Sequence, residues 1–238
     1  LALDGDPALP SDSGLSDISL LSRFPSLEKL ALADNHVGDI APLGALTSLR
    51  TLDLRGNRVA DCSPLSRLTA LTKLNLREND VSDLAPLSGL AGLTYLNLHS
   101  NSRIRSLRPL QGLVRLRTLI LRSVPVGEEI RFLGSLSRLN RLNVRNCAIA
   151  DFSVLGKLMA GGALQNDPAT RRVAGVNVLD NPLPEGDRDP YLPIRPYWGK
   201  IAGRKPLVAG RKPFDLPPPA GQLAPPSFSR PGGFYAEP

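Results

Sequence analysis

The chain has 238 residues, 42% hydrophobic and only 5% aromatic, so any core it builds must be aliphatic. Its formal net charge of +7 points to an acidic partner surface and leaves protein, nucleic acid and anionic membrane all open. No apolar run approaches the length of a membrane span, no signal peptide is visible, and the two distant cysteines, Cys62 and Cys147, form no capping cluster.

The sequence starts at Leu1, without a Met and in mid-pattern, as a fragment of a longer chain would. A degenerate unit comes first, with Leu15, Ile18, Leu21, Phe24 and Leu27 in phase. Regular units then begin at Leu27, Leu49, Leu71, Leu93, Leu116 and Leu139, spaced 22, 22, 22, 23 and 23 residues apart. Each opens as LxxLxLxx, usually followed by Asn and an aliphatic residue. The second halves repeat as well: DIAPLGAL, DCSPLSRL, DLAPLSGL, SLRPLQGL. The unit from Leu93 carries one extra residue in NSRIRSL, and the unit from Leu116 carries one in VGEEI. These bulges either perturb the curvature as tolerated drift or mark a binding feature.

Alternation over three to five residues predicts a short strand at each LxL, leucines inward and x residues outward. A unit of this size cannot bury its own leucines, so stability must come from stacked neighbours. The expected result is an α/β solenoid with a concave parallel β-sheet and short 3₁₀ or helical convex segments. Asn35, Asn57, Asn79 and Asn101 fall at equivalent turns, where a buried amide satisfies backbone groups. Val124 breaks this ladder, Cys147 replaces Asn as a small, weakly polar substitute, and Asn181 resumes it.

After Leu158, the stretch 159–172 reads as a loop inserted before a last unit with Val173, Val176 and Val178. The solenoid is therefore expected to span 1–183, in about seven to eight units. Residues 184–202 hold Tyr191, Ile194, Tyr197, Trp198 and Ile201 and read as a C-terminal cap; an aromatic docking motif is the rival reading. Residues 203–238 are basic and Pro-rich, expected as an extended tail with Arg204, Lys205, Arg211 and Lys212 as contacts. That tail is either a solvated linker or an arm that orders on a partner.

The repeated text LxxLxLxxNxVxDIxPLxxLxxL resembles the 22-residue leucine-rich-repeat class, which includes bacterial internalins and the leucine-rich regulatory subunit of protein phosphatase 1. The resemblance covers about residues 15–158 and resumes at 173–183. It implies the solenoid fold and protein binding on the concave face, and it transfers no individual contact residue.

The outward strand positions form three columns. The first is Lys29, Thr51, Lys73, Tyr95, Thr118 and Arg141; the middle one is Ala31, Asp53, Asn75, Asn97, Ile120 and Asn143. The third is Ala33, Arg55, Arg77, His99, Arg122 and Arg145, nearly a basic ladder, with Asp34, Asp53 and Glu78 beside it as possible neutralisers. The candidate partner-binding set is Lys29, Arg55, Lys73, Arg77, Tyr95, His99, Arg122, Arg141 and Arg145, with Tyr95 as an amphipathic anchor. No HExxH, CxxC, GxGxxG or GxSxG motif occurs, so no catalytic, metal or cofactor residue is assigned.

The sequence thus reads as a non-enzymatic scaffold for an acidic protein partner, within the cell. Two alternatives stay open. One is a structural subunit of a large cytoskeletal, ciliary or ribonucleoprotein assembly held by the basic tail, where nucleic acid would be met through phosphates. The other is an internalin-like adhesin on a bacterial surface.

Overall fold

The computed structural model describes residues 1–5, 14–166, 174–182 and 191–200. Seven three-residue strands form one parallel sheet in chain order: β1 (Lys29–Ala31), β2 (Thr51–Asp53), β3 (Lys73–Asn75), β4 (Tyr95–Asn97), β5 (Thr118–Ile120), β6 (Arg141–Asn143) and β7 (Gly175–Asn177). The register pairs equivalent positions without slippage: Leu30, Leu52, Leu74, Leu96, Leu119, Leu142 and Val176 lie side by side. Both 23-residue units keep this register. The extra residue of VGEEI is taken up on the convex side, where the 3₁₀ segment runs nine residues, Gly127–Ser135.

Opposite the sheet, short 3₁₀ turns return the chain: Ala41–Ala45, Ser63–Arg67, Ala85–Leu87 and Arg108–Gly112. Each has proline at its second position, where a missing N–H costs nothing. An aspartate two residues ahead caps most of them: Asp39, Asp61 and Asp83 accept from the amides of Ala41, Ser63 and Ala85 at 2.8 Å. Bonds from the Ser63 hydroxyl and amide hold the Asp61 carboxyl below its usual range. In the unit from Leu93 the aspartate is replaced by Ser106. There Glu129 of the next unit takes over, accepting from the Ser106 hydroxyl at 2.7 Å and the Leu107 amide at 3.3 Å. A shallow groove of about 470 Å³ opens on this convex side, lined by Ala85, Ser88, Arg108 and Gln111.

One leucine-dominated core runs the length of the sheet, most of its side chains wholly buried. At roughly 1.5–3 kcal/mol per buried leucine, the stacking contacts supply the driving force that no single unit has. The polar interior is the asparagine column. Asn79 donates from Nδ2 to the carbonyls of Leu54 (2.8 Å), Leu76 (3.1 Å) and Arg77 (3.0 Å), and its Oδ1 accepts from the Val59 amide at 2.9 Å. Asn35, Asn57, Asn101 and Asn181 make the same kind of set. Cys147 in this column donates its thiol to the Leu121 carbonyl at 2.9 Å. Burial pushes the Cys147 and Cys62 thiols up to about 12, so both stay protonated and structural.

At the N-terminal end the structure departs from the sequence expectation. Residues 1–5 lie along β1 as a further parallel rung: Leu3 N–H donates to Ala31 O at 2.8 Å and Gly5 N–H to Ala33 O at 2.7 Å. Gly5 is required there, because a Cβ would fall 1.8 Å from the Asp34 carbonyl oxygen. Of the apolar residues expected in phase after it, Ile18 and Leu21 enter the core and Leu27 packs partly against it. Leu15 and Phe24 are instead exposed at the open edge, where no regular rung stacks on them.

At the other end, α1 (Ser153–Ala160) replaces the 3₁₀ turn, and Met159, Ala163 and Leu164 are buried in the core. The start of the stretch expected to be a loop therefore packs inside; residues 167–173 lie outside the described residues. Tyr191 and Ile194 are buried, Tyr191 stacks on Phe152 at 5.4 Å between ring centroids, and a 3₁₀ segment follows at Arg195–Lys200. The tail from 203 onward, with Arg204, Lys205, Arg211 and Lys212, lies outside the described residues.

Replacing Asn79 with Ala strands two buried carbonyls and one buried amide. We expect a loss of about 3 kcal/mol in chemical denaturation, against under about 0.5 kcal/mol for the exposed Asp80→Ala beside it. Equal losses would remove the amide column from its structural role.

Candidate functional site

The parallel sheet is the one extended surface on which side chains recur at fixed spacing, about 4.8 Å from rung to rung. Three-residue strands end abruptly because the chain must bend out of the sheet immediately afterwards. It does so through a left-handed residue in every unit: Asp34, Gly56, Glu78, Ser100, Ser123, Asn146 and Asp180 all have φ between 54° and 62°. At Gly56 a Cβ would lie 2.5 Å from Asp34 Oδ1, which makes glycine the fitting residue.

That bend is held from the middle column. Asp53, Asn75, Asn97, Asn143 and Asn177 each accept, through Oδ1, the amide two residues on: Arg55, Arg77, His99, Arg145 and Leu179, at 3.0–3.2 Å. These residues form a second amide ladder, parallel to the first and on the opposite side of the strands. The sequence showed the column but gave it no role, because an outward position reads as solvent-facing. Asp53, Asn75 and Asn97 are in fact buried by their neighbours across the rungs.

The third-column arginines then meet acids of the bends, Arg55 that of the preceding rung, Arg77 that of its own and Arg145 that of the next. Arg55 Nη2 lies 3.3 Å from Asp34 Oδ2, Arg77 Nη2 lies 3.1 Å from Glu78 Oε1, and Arg145 Nε pairs with Asp180. The neutralisation that the sequence left open at Asp34 and Glu78 is therefore realised in the structure. Arg122 has Ser123 at its bend and forms no ion pair among the described residues. Lys29 and Arg141 are exposed at the ends of the first column, with Lys73 half-buried between them. Tyr95 and His99 are 5% and 6% exposed. As a projecting anchor Tyr95 is a correction: its ring is covered by flanking rungs and offers little area.

Asp53 is the one carboxylate among the middle-column asparagines. Burial pushes its carboxyl up from the usual range, against the lowering effect of the Arg55 amide and charge.

The family model described as "Leucine Rich repeats (2 copies)" matches residues 25–67, 47–89 and 69–112. No curated protein sequence matches significantly. Among solved structures, an internalin from Listeria monocytogenes is similar with a TM-score of 0.66 and 25% identity, covering 84% of this chain and 58% of that one. A second Listeria monocytogenes internalin gives 0.61 and 28%, covering 76% of this chain and 73% of that one. A plant peptide hormone receptor, solved in complex with RGF2, gives 0.53 and 22% over 67% of this chain and 25% of its own, which speaks to the fold alone. Residues 25–112 thus carry leucine-rich repeats, and the fold is similar to that of the internalins; the chain spans a little under three fifths of the first internalin's length.

The pH dependence of Asp53 has a definite sign. A carboxyl raised in the folded state favours folding when protonated and weighs against it once ionised. Asp53→Asn, which copies the residue at 75, 97 and 143, should therefore raise the melting temperature at pH 7. The gain should shrink as pH falls through Asp53's raised value towards the usual carboxylate range near 4. A gain that grows on acidification would mean the charge is stabilising.

Proposed function

We propose that this chain is a non-enzymatic protein-interaction scaffold that takes an acidic protein surface on its concave sheet. The observation that supports the reading most is the ion pairing of the third column. Arg55, Arg77 and Arg145 are each oriented by a neighbouring acid, and each guanidinium has five N–H donors, of which such a pair uses only one or two. Guanidiniums already held in place lose little side-chain entropy when a partner carboxylate arrives. Arg122 extends the column, and Lys29 the first one, as cations without an ion pair among the described residues. Tyr95 and His99 are packing residues behind the proposed surface, with Lys73 and Arg141 at its margin.

A second reading, an adhesin at a bacterial surface, is supported by the likeness to two Listeria internalins. No helix among the described residues is long and apolar enough to cross a membrane, which fits either reading. The assembly-subunit reading rests on tail residues outside the described part and has no structural observation behind it.

Affinity capture from the native source, with the full chain beside a version ending at Arg204, separates these readings. The concave reading expects one acidic protein retained by both versions. It also expects the variant with Arg55→Glu, Arg77→Glu and Arg145→Glu to lose that protein by about tenfold or more while its circular dichroism is unchanged. Undiminished capture by the reversed variant discards the concave site, and recovery that needs the tail turns the ranking towards an assembly subunit.

A further inference from the structure

Charge is unevenly spread along the solenoid. Residues 101–145 hold ten arginines, no lysine and only two acids, Glu128 and Glu129. Residues 27–100, three regular units and the start of a fourth, hold seven cations against eight acids. The excess is not on the concave column, where most arginines are paired with acids of the bends. It lies on the flanks, and one flank collects it most tightly.

That flank is where the chain turns into the strand. The residue just before the opening leucine is Ser26, Ser48, Ala70 and Gly92 in the first four regular units, then Arg115 and Arg138. The residue after that leucine is Glu28, Arg50, Thr72 and Thr94, then Arg117; the earlier cation Arg50 has Glu28 of the preceding rung 3.8 Å away, and Arg117 has no such acid, its predecessor in the column being Thr94. The bends are equivalent in geometry: Leu116 N–H donates to Leu113 O at 2.9 Å, and Leu139 N–H to Leu136 O at 3.0 Å. Arg115 and Arg138 therefore sit one rung apart. Arg117 is tied to the same pair of rungs, since its carbonyl accepts from Asn140 N–H at 2.8 Å and Arg141 N–H at 2.9 Å. Arg115, Arg117 and Arg138 are all exposed, and none forms an ion pair or side-chain hydrogen bond among the described residues. Glu128 and Glu129 lie on the other side of the molecule, in the convex 3₁₀ segment, engaged with Arg131. Val114, 48% exposed, adjoins Arg115.

We infer that this flank, carrying Arg115, Arg117 and Arg138 around Val114, is a docking surface for an acidic protein segment, separate from the concave face. Three like charges within two rungs repel one another, and no acid among the described residues pairs with them; the fold gains nothing by this arrangement that the serine, glycine or threonine of other units would not provide. Arginine forks take carboxylates two-pronged, which fits the absence of lysine. An acidic segment with an apolar residue matches the patch better than a nucleic acid strand. Val114 offers aliphatic contact, and among the described residues none of the three arginines has a ring contact that would provide a platform for base stacking.

The probe is a fluorescein-labelled Glu-rich peptide of about twelve residues containing one central Leu, titrated with the full chain at about 50 mM salt and read by anisotropy. The expected result is that Arg115→Gln, Arg117→Gln and Arg138→Gln together raise Kd about tenfold or more, while Arg55→Gln, Arg77→Gln and Arg145→Gln together raise it less than about threefold. The basic tail is common to all three proteins and cancels in the comparison. The three exposed positions also go in singly, each expected to weaken binding about twofold, so that a misfolded triple variant does not decide the matter. Absence of peptide binding, a Kd indifferent to the flank variants, or tighter capture of an oligothymidine through the same three arginines would each overturn the inference. Because the concave variants are read in parallel, failure of the flank leaves the concave reading standing, and the reverse.

Discussion

A solenoid with turns of 22 residues bends the backbone sharply twice per turn, and both bends leave amides and carbonyls facing a leucine core. Water cannot reach them, and an unpaired buried group costs about 1–3 kcal/mol. Everything regular about this chain follows from how that constraint is met. The buried asparagine at the exit of each strand is short enough to fit and carries two donors and an acceptor. It joins its own turn to the preceding one, so that one rung cannot loosen without the next. Where the column is interrupted at Val124, Val124 N–H bonds to Leu121 O at 2.9 Å, and Cys147 reaches the same Leu121 carbonyl from the following rung.

The second bond that fixes the bend, from the middle-column Asp or Asn to the amide two residues on, has a consequence for the surface. It removes Asp53, Asn75 and Asn97 from solvent and brings the third column to the bend. The left-handed residue that follows is then placed beside that column, and nature's choice of Asp34, Glu78 and Asp180 there sets acids against Arg55, Arg77 and Arg145. Surface pairs of this kind contribute little stability, typically under about 1 kcal/mol each. Their effect is to orient side chains that would otherwise sample many rotamers. Backbone strain at a non-glycine left-handed residue, a burial-driven hydrogen bond and the orientation of a surface cation are thus one connected arrangement.

Much of this was legible in the sequence for physical reasons. The leucine period fixes strand positions and register, because a slip of one residue would send Leu52 or Leu74 to the surface and Asp53 or Asn75 to the core. The asparagine column was legible because an amide recurring in an apolar context has to be satisfied by something. What was missed lies where the period gives no information. Leu1 and Leu3 alternate like a strand, but their distance to Leu30 exceeds a unit length, so the period did not include them. Leu15 and Phe24 keep the period and are still exposed, because a period states which face is apolar and not whether a neighbour covers it. Tyr95 and His99 sit at outward positions and are still buried, since the concave side of a curved sheet crowds its own side chains. The bend-holding role of Asp53 and Asn75 needed the geometry of the left-handed turn, which no propensity conveys.

The same distinction governs the charge. A basic column could be read from Arg55, Arg77, Arg122 and Arg145, but net charge says nothing about which cations already have partners. Folding assigns acids to some arginines and not to others, and only the unassigned ones keep their full attraction for an outside anion. In this chain acids stand at the bends beside the concave column, and on the entry flank Glu28 answers Arg50, while the later Arg115, Arg117 and Arg138 have no such acid among the described residues. Two surfaces of different character result from one repeat. On the concave side Arg55, Arg77 and Arg145 are held by acids of the bends. On the entry flank unpaired arginines retain reach and long-range field, which suits the capture of a partner before its final register is set.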